Sequence, residues 1–504
     1  MSALGPAAVV VLVAGGLTAV TAPSAHSAPR TVTATAAGAA AATEAATEAA
    51  TARAGSDADF NGDGYGDLVV GTPKAEAPGQ FTGGAVTVTY GSASGVSPAR
   101  SVTLGQDSPS VPGAGESGDE FGESTASGDV DGDGYADLVV GAPGERLADG
   151  RGGMVTVLWG GPKGLAYGGT PVTSPRAYDQ DFGEGVAVAD LDGDAGLNIA
   201  VVSRANAWYV PDGFGREDND DNAPIPAEGG WNGRDARAQD VVAADVTGSG
   251  SAGLVAYGWE SDYGPDWTGY FTCGAAGLAF DSDLIERDGI GTGTRTAAAT
   301  GDIDGDGIDD LVTGDRFDGA GGTVTIRYGA PGGPGTAREP VTIGQDSPGV
   351  PGADEPNDWF GASVSVGDVT GDGYADLAVG VERENVDGVT STGAAVLLKG
   401  SAKGLATSGN QSFHQATSGV PGVPEEYDYF GSAVHLSDVS GDGRADLAVS
   451  ARGEDVVEGS DEDGGVWVLR GASGGLTTQQ ATSFSAPRFG LGFAGRQFGS
   501  VLPD

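Results

Sequence analysis

The chain is 504 residues long, with 92 Gly, 26 Pro, three His, one Cys and 71 acidic against 25 basic side chains, a formal net charge of −46. That surplus repels polyphosphate and argues against a nucleic-acid binder held by counterion release. Cys273 alone can make neither an intramolecular disulfide nor a cysteine-based zinc site, and His26, His414 and His435 leave little room for imidazole chemistry. An apolar content of 39% still allows a packed core, and so much glycine suits many turns joining short strands.

Residues 7–20 form an uncharged, weakly apolar run with Val9, Val10, Val11, Leu12, Val13 and Leu17, followed by small residues. It is too short for the ~20 residues that span a bilayer and fits the core of a secretory signal peptide, although the first basic residue, Arg30, follows it. We read 1–28 as a signal peptide and the protein as secreted, without a membrane span. Residues 29–54 are almost entirely Ala, Thr, Gly and Glu; with nothing large to bury, they read as a linker. The remainder, 55–504, is organised by repetition.

One nine-residue pattern, Asp-x-(Asp/Asn/Ser/Thr)-Gly-Asp-Gly-x-x-Asp followed by Leu and an apolar run, recurs along this region. It occurs as Asp59, Asn61, Asp63, Asp67; as Asp129, Asp131, Asp133, Asp137; and as Asp302, Asp304, Asp306, Asp310. It returns as Asp368, Thr370, Asp372, Asp376 and as Asp438, Ser440, Asp442, Asp446. A looser copy is Asp190, Asp192, Asp194, Asn198, with Ala195 in place of the second Gly. A seventh, Asp245, Thr247, Ser249, Gly253, keeps the frame and loses the carboxylates. The first aspartates stand 55 to 70 residues apart, so seven units fill the chain after residue 54 and leave no room for a separate catalytic domain.

Hard cations take oxygen ligands. Side chains at positions 1, 3, 5 and 9, with the backbone carbonyl of position 7, can wrap one Ca²⁺ where glycine lets the loop turn tightly. Position 7 is Tyr65, Tyr135, Ile308, Tyr374 or Arg444. An EF-hand starts the same way but needs Glu at position 12 and a helix, whereas Val70, Val140, Thr313, Val379 and Val449 stand there inside β-type runs. A single such loop is as well explained by a solvated turn; six in one frame point to about six calcium sites.

Phe-Gly stands eight residues ahead of four of the loops, at Phe121, Phe182, Phe360 and Phe430, and opens an alternating stretch such as Phe430 to Leu436. After the loop come a Leu-led strand, a third strand (85–90, 154–159, 323–328, 466–470) and a fourth (101–104, 341–343). The fourth leads into Gly-Gln-Asp-Ser-Pro-x-Val-Pro-Gly, at 105–113 and 344–352. Four strands in about 63 residues, seven times over, describe an all-β, seven-bladed propeller of four-stranded blades. An unmatched Phe498-Gly499-Ser500-Val501 at the C-terminus is expected to complete the first blade, which has no Phe-Gly of its own.

Phe121-Gly122, the loop 129–137 and Gly141-Ala142-Pro143 together resemble the FG-GAP repeat of the integrin α-subunit N-terminal propeller and of bacterial secreted relatives. The resemblance implies a seven-bladed ring with Ca²⁺ in hairpin loops on one face. Three departures stand out: unit four lacks the ligands, Phe-Gly is missing before Asp245 and Asp302, and Gly-Ala-Pro directly follows one loop alone.

No catalytic residue is assigned. Ser473 lies in a Gly-x-Ser-x-Gly stretch that matches the turns at 91–95 and 400–404, so it reads as a turn residue. Trp208, Trp231, Trp259 and Trp267 cluster in units three and four beside a long insertion, 204–239, with an acidic run at 217–221. They suit stacking on sugar rings or the core of two decayed blades, and the core is the preferred reading. The expected function is a secreted, monomeric, calcium-binding module for an extracellular protein or polysaccharide, the alternative being a polysaccharide-cleaving hydrolase or lyase on the same scaffold.

Overall fold

Short β-branched runs cut by glycine make the strands, and their order makes the ring. The computed structural model describes residues 58–503 apart from 78–80, 177–178, 205, 217–222, 229–230, 232–235, 261–265, 275–276, 287–296, 456–462 and 492–496; the signal-peptide and linker expectations fall outside them. Seven antiparallel sheets follow one another in sequence, the first a meander of three strands with a small hairpin, Glu76–Ala77 and Phe81–Thr82, in its connection, and the other six meanders of four. Blade 2 is Thr125–Gly128, Asp137–Arg146, Gly152–Leu158 and Gly169–Val172, and blade 6 is Phe360–Gly367, Asp376–Val381, Ala394–Leu398 and Gln411–Phe413. Blade 4, Ala236–Ala244, Gly253–Glu260, Asp266–Gly274 and Gly277–Glu286, has the longest first, third and fourth strands. Among the described residues the one helix is a 3-10 turn, Ala486–Phe489, and none is long and apolar enough to cross a membrane.

The first strands of successive blades pack against one another around the axis, so each loop between first and second strands lies on the same rim. Second strands are buried over at least their first five residues, and Leu68–Thr72 and Asp376–Val381 over their whole length, which explains their continuous apolar runs. Outer strands such as Ser101–Leu104 are half-buried and carry Ser and Thr.

Each Phe of Phe-Gly is a wedge between neighbouring blades. Phe121 is fully buried among Val69, Val86 and Val88 of one blade and Leu138 and Val140 of the next, while its N–H donates to Gly83 O. Truncating such a ring costs ~3–5 kcal/mol. Phe498 does the same at the seam, fully buried beside Leu68, Val70 and Val466. Val501 then pairs antiparallel with Gly71, whose N–H donates to Val501 O at 2.9 Å. Blade 1, Leu68–Thr72, Ala85–Thr89 and Ser101–Leu104, thereby gains its innermost strand from the C-terminal end of the chain. The half-buried His435, on the innermost strand of blade 7, ties that end down through a 2.9 Å hydrogen bond between Nδ1 and Pro503 O.

Candidate metal centres

In each loop the first aspartate organises the turn. Asp59 Oδ1 accepts the N–H groups of Gly62 and Asp63 at 2.7 and 3.1 Å, and Oδ2 accepts that of Gly64 at 2.8 Å. Asp302 and Asp368 repeat all three bonds, and Asp129, Asp190 and Asp438 repeat two of them. The position-5 aspartates Asp63, Asp133, Asp306, Asp372 and Asp442 accept the N–H of position 7, from Tyr65, Tyr135, Ile308, Tyr374 and Arg444. The chain therefore bends round a small space edged by carboxylate oxygens.

The position-9 aspartate sits beneath that space and ties the loop to its own blade. Asp67 accepts from Phe60 N–H at 3.0 Å and from Gly91 N–H, at the end of the third strand, at 2.9 Å. Asp137, Asp310 and Asp376 make the same pair of bonds. Asp446 makes the second and leaves Oδ2 buried without a partner. In the third loop Asn198 accepts from Leu191 N–H and reaches Tyr209 Oη, which in turn donates to Asp192 at 2.8 Å.

These groups fit a hard divalent cation. Carboxylate oxygens of Asp129, Asp131 and Asp137 lie within 4.8 Å of one another, as do those of Asp190, Asp192 and Asp194 and those of Asp302, Asp304 and Asp306. Oxygens on opposite sides of an ion with ~2.4 Å bonds are about that far apart. Asp304 Oδ1 is a buried acceptor with no partner. Burial, aided by neighbouring carboxylates, pushes Asp67 up to about 8 and Asp137 and Asp310 up to about 7. Carboxylates so placed are strained as anions until a cation offsets them.

Arginines supply part of that offset, which the spacing of the motif could not reveal. Arg216 bonds Asp131 at 2.8 Å and Asp133 at 2.5 Å, and Arg100 bonds Asp63 at 3.0 Å. Arg338 stands 3.5 Å from Asp304. Each brings one charge to a loop holding three or four acids. The fourth loop needs none: Asp245 accepts the hydroxyls of Thr247 and Ser249 and the N–H groups of Ser249 and Gly250. Burial raises its pKa, but these bonds outweigh that and hold it below the usual carboxylate range.

The loops are also joined to each other. The position-8 N–H donates to the first-aspartate carbonyl of the preceding loop at six of the seven junctions among the described residues, including Ala136 to Asp59 and, across the seam, Gly66 to Asp438. The position-7 side chain lies over the position-4 glycine of that same preceding loop. Gly62, at φ +70°, has the Tyr135 ring where a Cβ would stand, and Tyr65 covers Gly441 in the same way. Position 4 must therefore be glycine for two reasons, its left-handed backbone and its neighbour's ring.

The aromatic cluster is placed differently. Trp208, Trp231 and Trp267 are buried, Trp231 packing edge-on against Trp267 and Phe271, so none of the three has a face open to a sugar; Trp259 is half-buried. The acidic run 217–221 lies outside the described residues. Ser473 occupies a turn bridged Ser473 to Gly475, matched by Pro162 to Gly164 and Ala402 to Gly404.

Comparison with known proteins gives the FG-GAP repeat family at residues 53–88, 121–158, 360–398 and 430–469. Phosphatidylinositol-glycan-specific phospholipase D of Rattus norvegicus is 33% identical over 147 residues, 28% of this chain and 17% of that protein, and the Mus musculus enzyme is 32% identical over the same share. The match thus spans under a fifth of the length of these curated relatives. Among solved structures, an Agrocybe aegerita lectin described as recognising non-reducing terminal N-acetylglucosamine aligns with 83% of this chain and 79% of its own at 15% identity and a TM-score of 0.35, a likeness on which nothing further rests.

Proposed function

We propose, for a chain that carries FG-GAP repeats on a seven-bladed, integrin α N-terminal-like β-propeller, that it is a secreted binding module whose loop rim is set by calcium. The carrying observation is the recurrence of one carboxylate loop at the same corner of six blades, with a backbone hydrogen bond between neighbouring loops at six of the seven junctions, on a ring with no free sheet edge at its seam. Asp59, Asn61, Asp63 and Asp67 and their counterparts in five further loops would hold the ions, with the position-7 carbonyls completing each shell. Bound calcium supplies the positive charge that lets these loops keep a fixed shape, and a fixed rim is what a binding surface needs. An extracellular protein or polysaccharide fits this reading better than any polyanion, because most of the acid excess remains.

The test displays the full chain against panels of extracellular glycoproteins and polysaccharides, with millimolar Ca²⁺ and with chelator. Saturable binding that chelator abolishes is expected. Release of new reducing ends or unsaturated sugars in the same wells would replace the module with a polysaccharide-cleaving enzyme.

A further inference from the structure

A second set of acidic clusters lies at the far end of the same second strands, away from the calcium-type loops. In the first, Glu116, Asp119 and Glu145 bring one carboxylate oxygen each within 4.8 Å of the others, and Asp119 and Glu145 are buried. In the second, Glu355, Asp358 and Glu384 do the same. Glu425, Asp428 and Glu454 repeat the local bonds without so close a three-way approach, Glu425 N–H donating to Asp428 at 2.6 Å as Glu116 and Glu355 N–H do to Asp119 and Asp358. Among the described residues no Lys or Arg pairs with any of these nine acids.

What separates these clusters from ordinary surface acids is a glutamine. Gln106, Gln345 and Gln415 are each 3% exposed. Their Nε2 groups reach Glu145, Glu384 and Glu454 at 2.5, 2.7 and 2.6 Å. The Oε1 of all three is buried without any partner, a costly state for an amide carbonyl. Both atoms sit on one amide carbon, so the bare oxygen is the immediate neighbour of the nitrogen that meets the glutamate. Half a turn about the last side-chain bond exchanges them and sets a fourth oxygen against the glutamate, an arrangement that repels unless a cation stands between.

The spacing is identical each time: from the glutamine, the first glutamate is 10 residues on, the aspartate 13 and the second glutamate 39. This gives a role to the Gly-Gln-Asp-Ser-Pro-x-Val-Pro-Gly segments, whose second residue is that glutamine. Their final glycines, Gly113 and Gly352, press on it so closely that a Cβ would stand 2.6 and 2.5 Å from Nε2. The third copy, His414 to Gly422, has lost the Gly, Asp, Ser and first Pro of the segment and kept Gln415, Val420, Pro421 and Gly422.

We propose that each of these three clusters, bridging the outer connection of one blade to the second strand of the next, is a divalent-cation site of calcium type with the glutamine carbonyl as its neutral ligand. Three carboxylates and one amide oxygen provide four protein ligands or more when a carboxylate binds through both oxygens, and water fills the rest of a six- to eight-oxygen shell. The propeller then carries cations on both rims, three of them clamping neighbouring blades.

The test counts calcium bound by the full chain after chelator stripping and equilibrium dialysis. The isosteric set Glu145→Gln, Glu384→Gln and Glu454→Gln is expected to bind three ions fewer than the parent; an unchanged count overturns the proposal. Should the variant not fold, anomalous diffraction from unaltered crystals grown with Mn²⁺ decides. Peaks inside the three clusters support the sites. Peaks at the Asp-rich loops alone overturn them and leave the calcium loops standing, whereas peaks at the clusters alone would keep these sites and remove the loop reading.

Discussion

In blade 2 the turn between first and second strands holds Asp129, Asp131, Asp133 and Asp137, while the matching turn of blade 4 holds one carboxylate, Asp245, bonded by the hydroxyls of Thr247 and Ser249. The backbone frame is shared, since Asp133 and Gly134 donate to Asp129 as Ser249 and Gly250 do to Asp245. The donor supply is what differs. Hydroxyls bring their own protons and close the turn without an ion; carboxylates bring only acceptors and leave it open to one. Blade 4 also has strands of 8 to 10 residues and a core with Trp267, Tyr257 and Phe271, where blade 6 has strands of 3 to 8. One blade held by packing thus stands among six tied by charge, and the contrast can be broken experimentally.

The harshest break asks whether calcium can replace packing at the seam. Deleting residues 498–504 removes Phe498 and bares the Leu68–Thr72 edge, so the melting temperature should fall by about five degrees, a loss of roughly 5 kcal/mol that saturating Ca²⁺ does not recover. Recovery by calcium would mean the seam is held by the loops instead. Next, Trp267→Ala in blade 4 should cost about 3–5 kcal/mol, and by the same amount in chelator as in Ca²⁺. A cost that depends on calcium would erase the distinction between the blades.

How far these contrasts were legible in the sequence depends on the interaction. The loop positions, the strand order and the C-terminal seam follow from local patterns: Asp and Gly spacing, alternation, and an unmatched Phe-Gly. Loss of ligands at Thr247, Ser249 and Gly253 was equally visible. Arg216 over Asp131 and Asp133 was not, because 83 and 85 residues separate partners that meet through the ring. Nor was the cover of Gly62 by Tyr135, which belongs to the next blade. The tryptophans were ambiguous because burial and sugar stacking ask for the same residue type, and only the packing around Trp231 and Trp267 separates them.

Smaller effects sharpen the comparison. Asp131→Asn with Asp133→Asn should remove about 1–3 kcal/mol of stability in excess Ca²⁺ and little in chelator, the size expected when a ligand stands 10 to 100 times above its Kd. Equal loss in both conditions would point to the Arg216 pairs instead. His435 has its pKa pushed down to about 4 by burial, with the Pro503 carbonyl acting the other way. The unfolded chain therefore takes up a proton between its ordinary ~6.5 and 4 where the folded chain does not, and stability falls as pH drops through that window by about 1–2 kcal/mol at pH 5. In His435→Gln the slope between pH 7 and 5, measured by thermal melts in Ca²⁺, should flatten. The least effect belongs to Thr247→Ala with Ser249→Ala, about 1 kcal/mol and indifferent to calcium, since two hydroxyl bonds to Asp245 are lost.

The central claim is that the carboxylate loops are completed by calcium. A thermal melt of the full chain across rising free Ca²⁺, paired with metal analysis of the same sample, tests it most directly. The melting temperature is expected to climb with calcium after chelator stripping, with at least six ions bound per chain at saturation. A melting temperature that is the same in chelator and in millimolar Ca²⁺, with no bound metal, would contradict it.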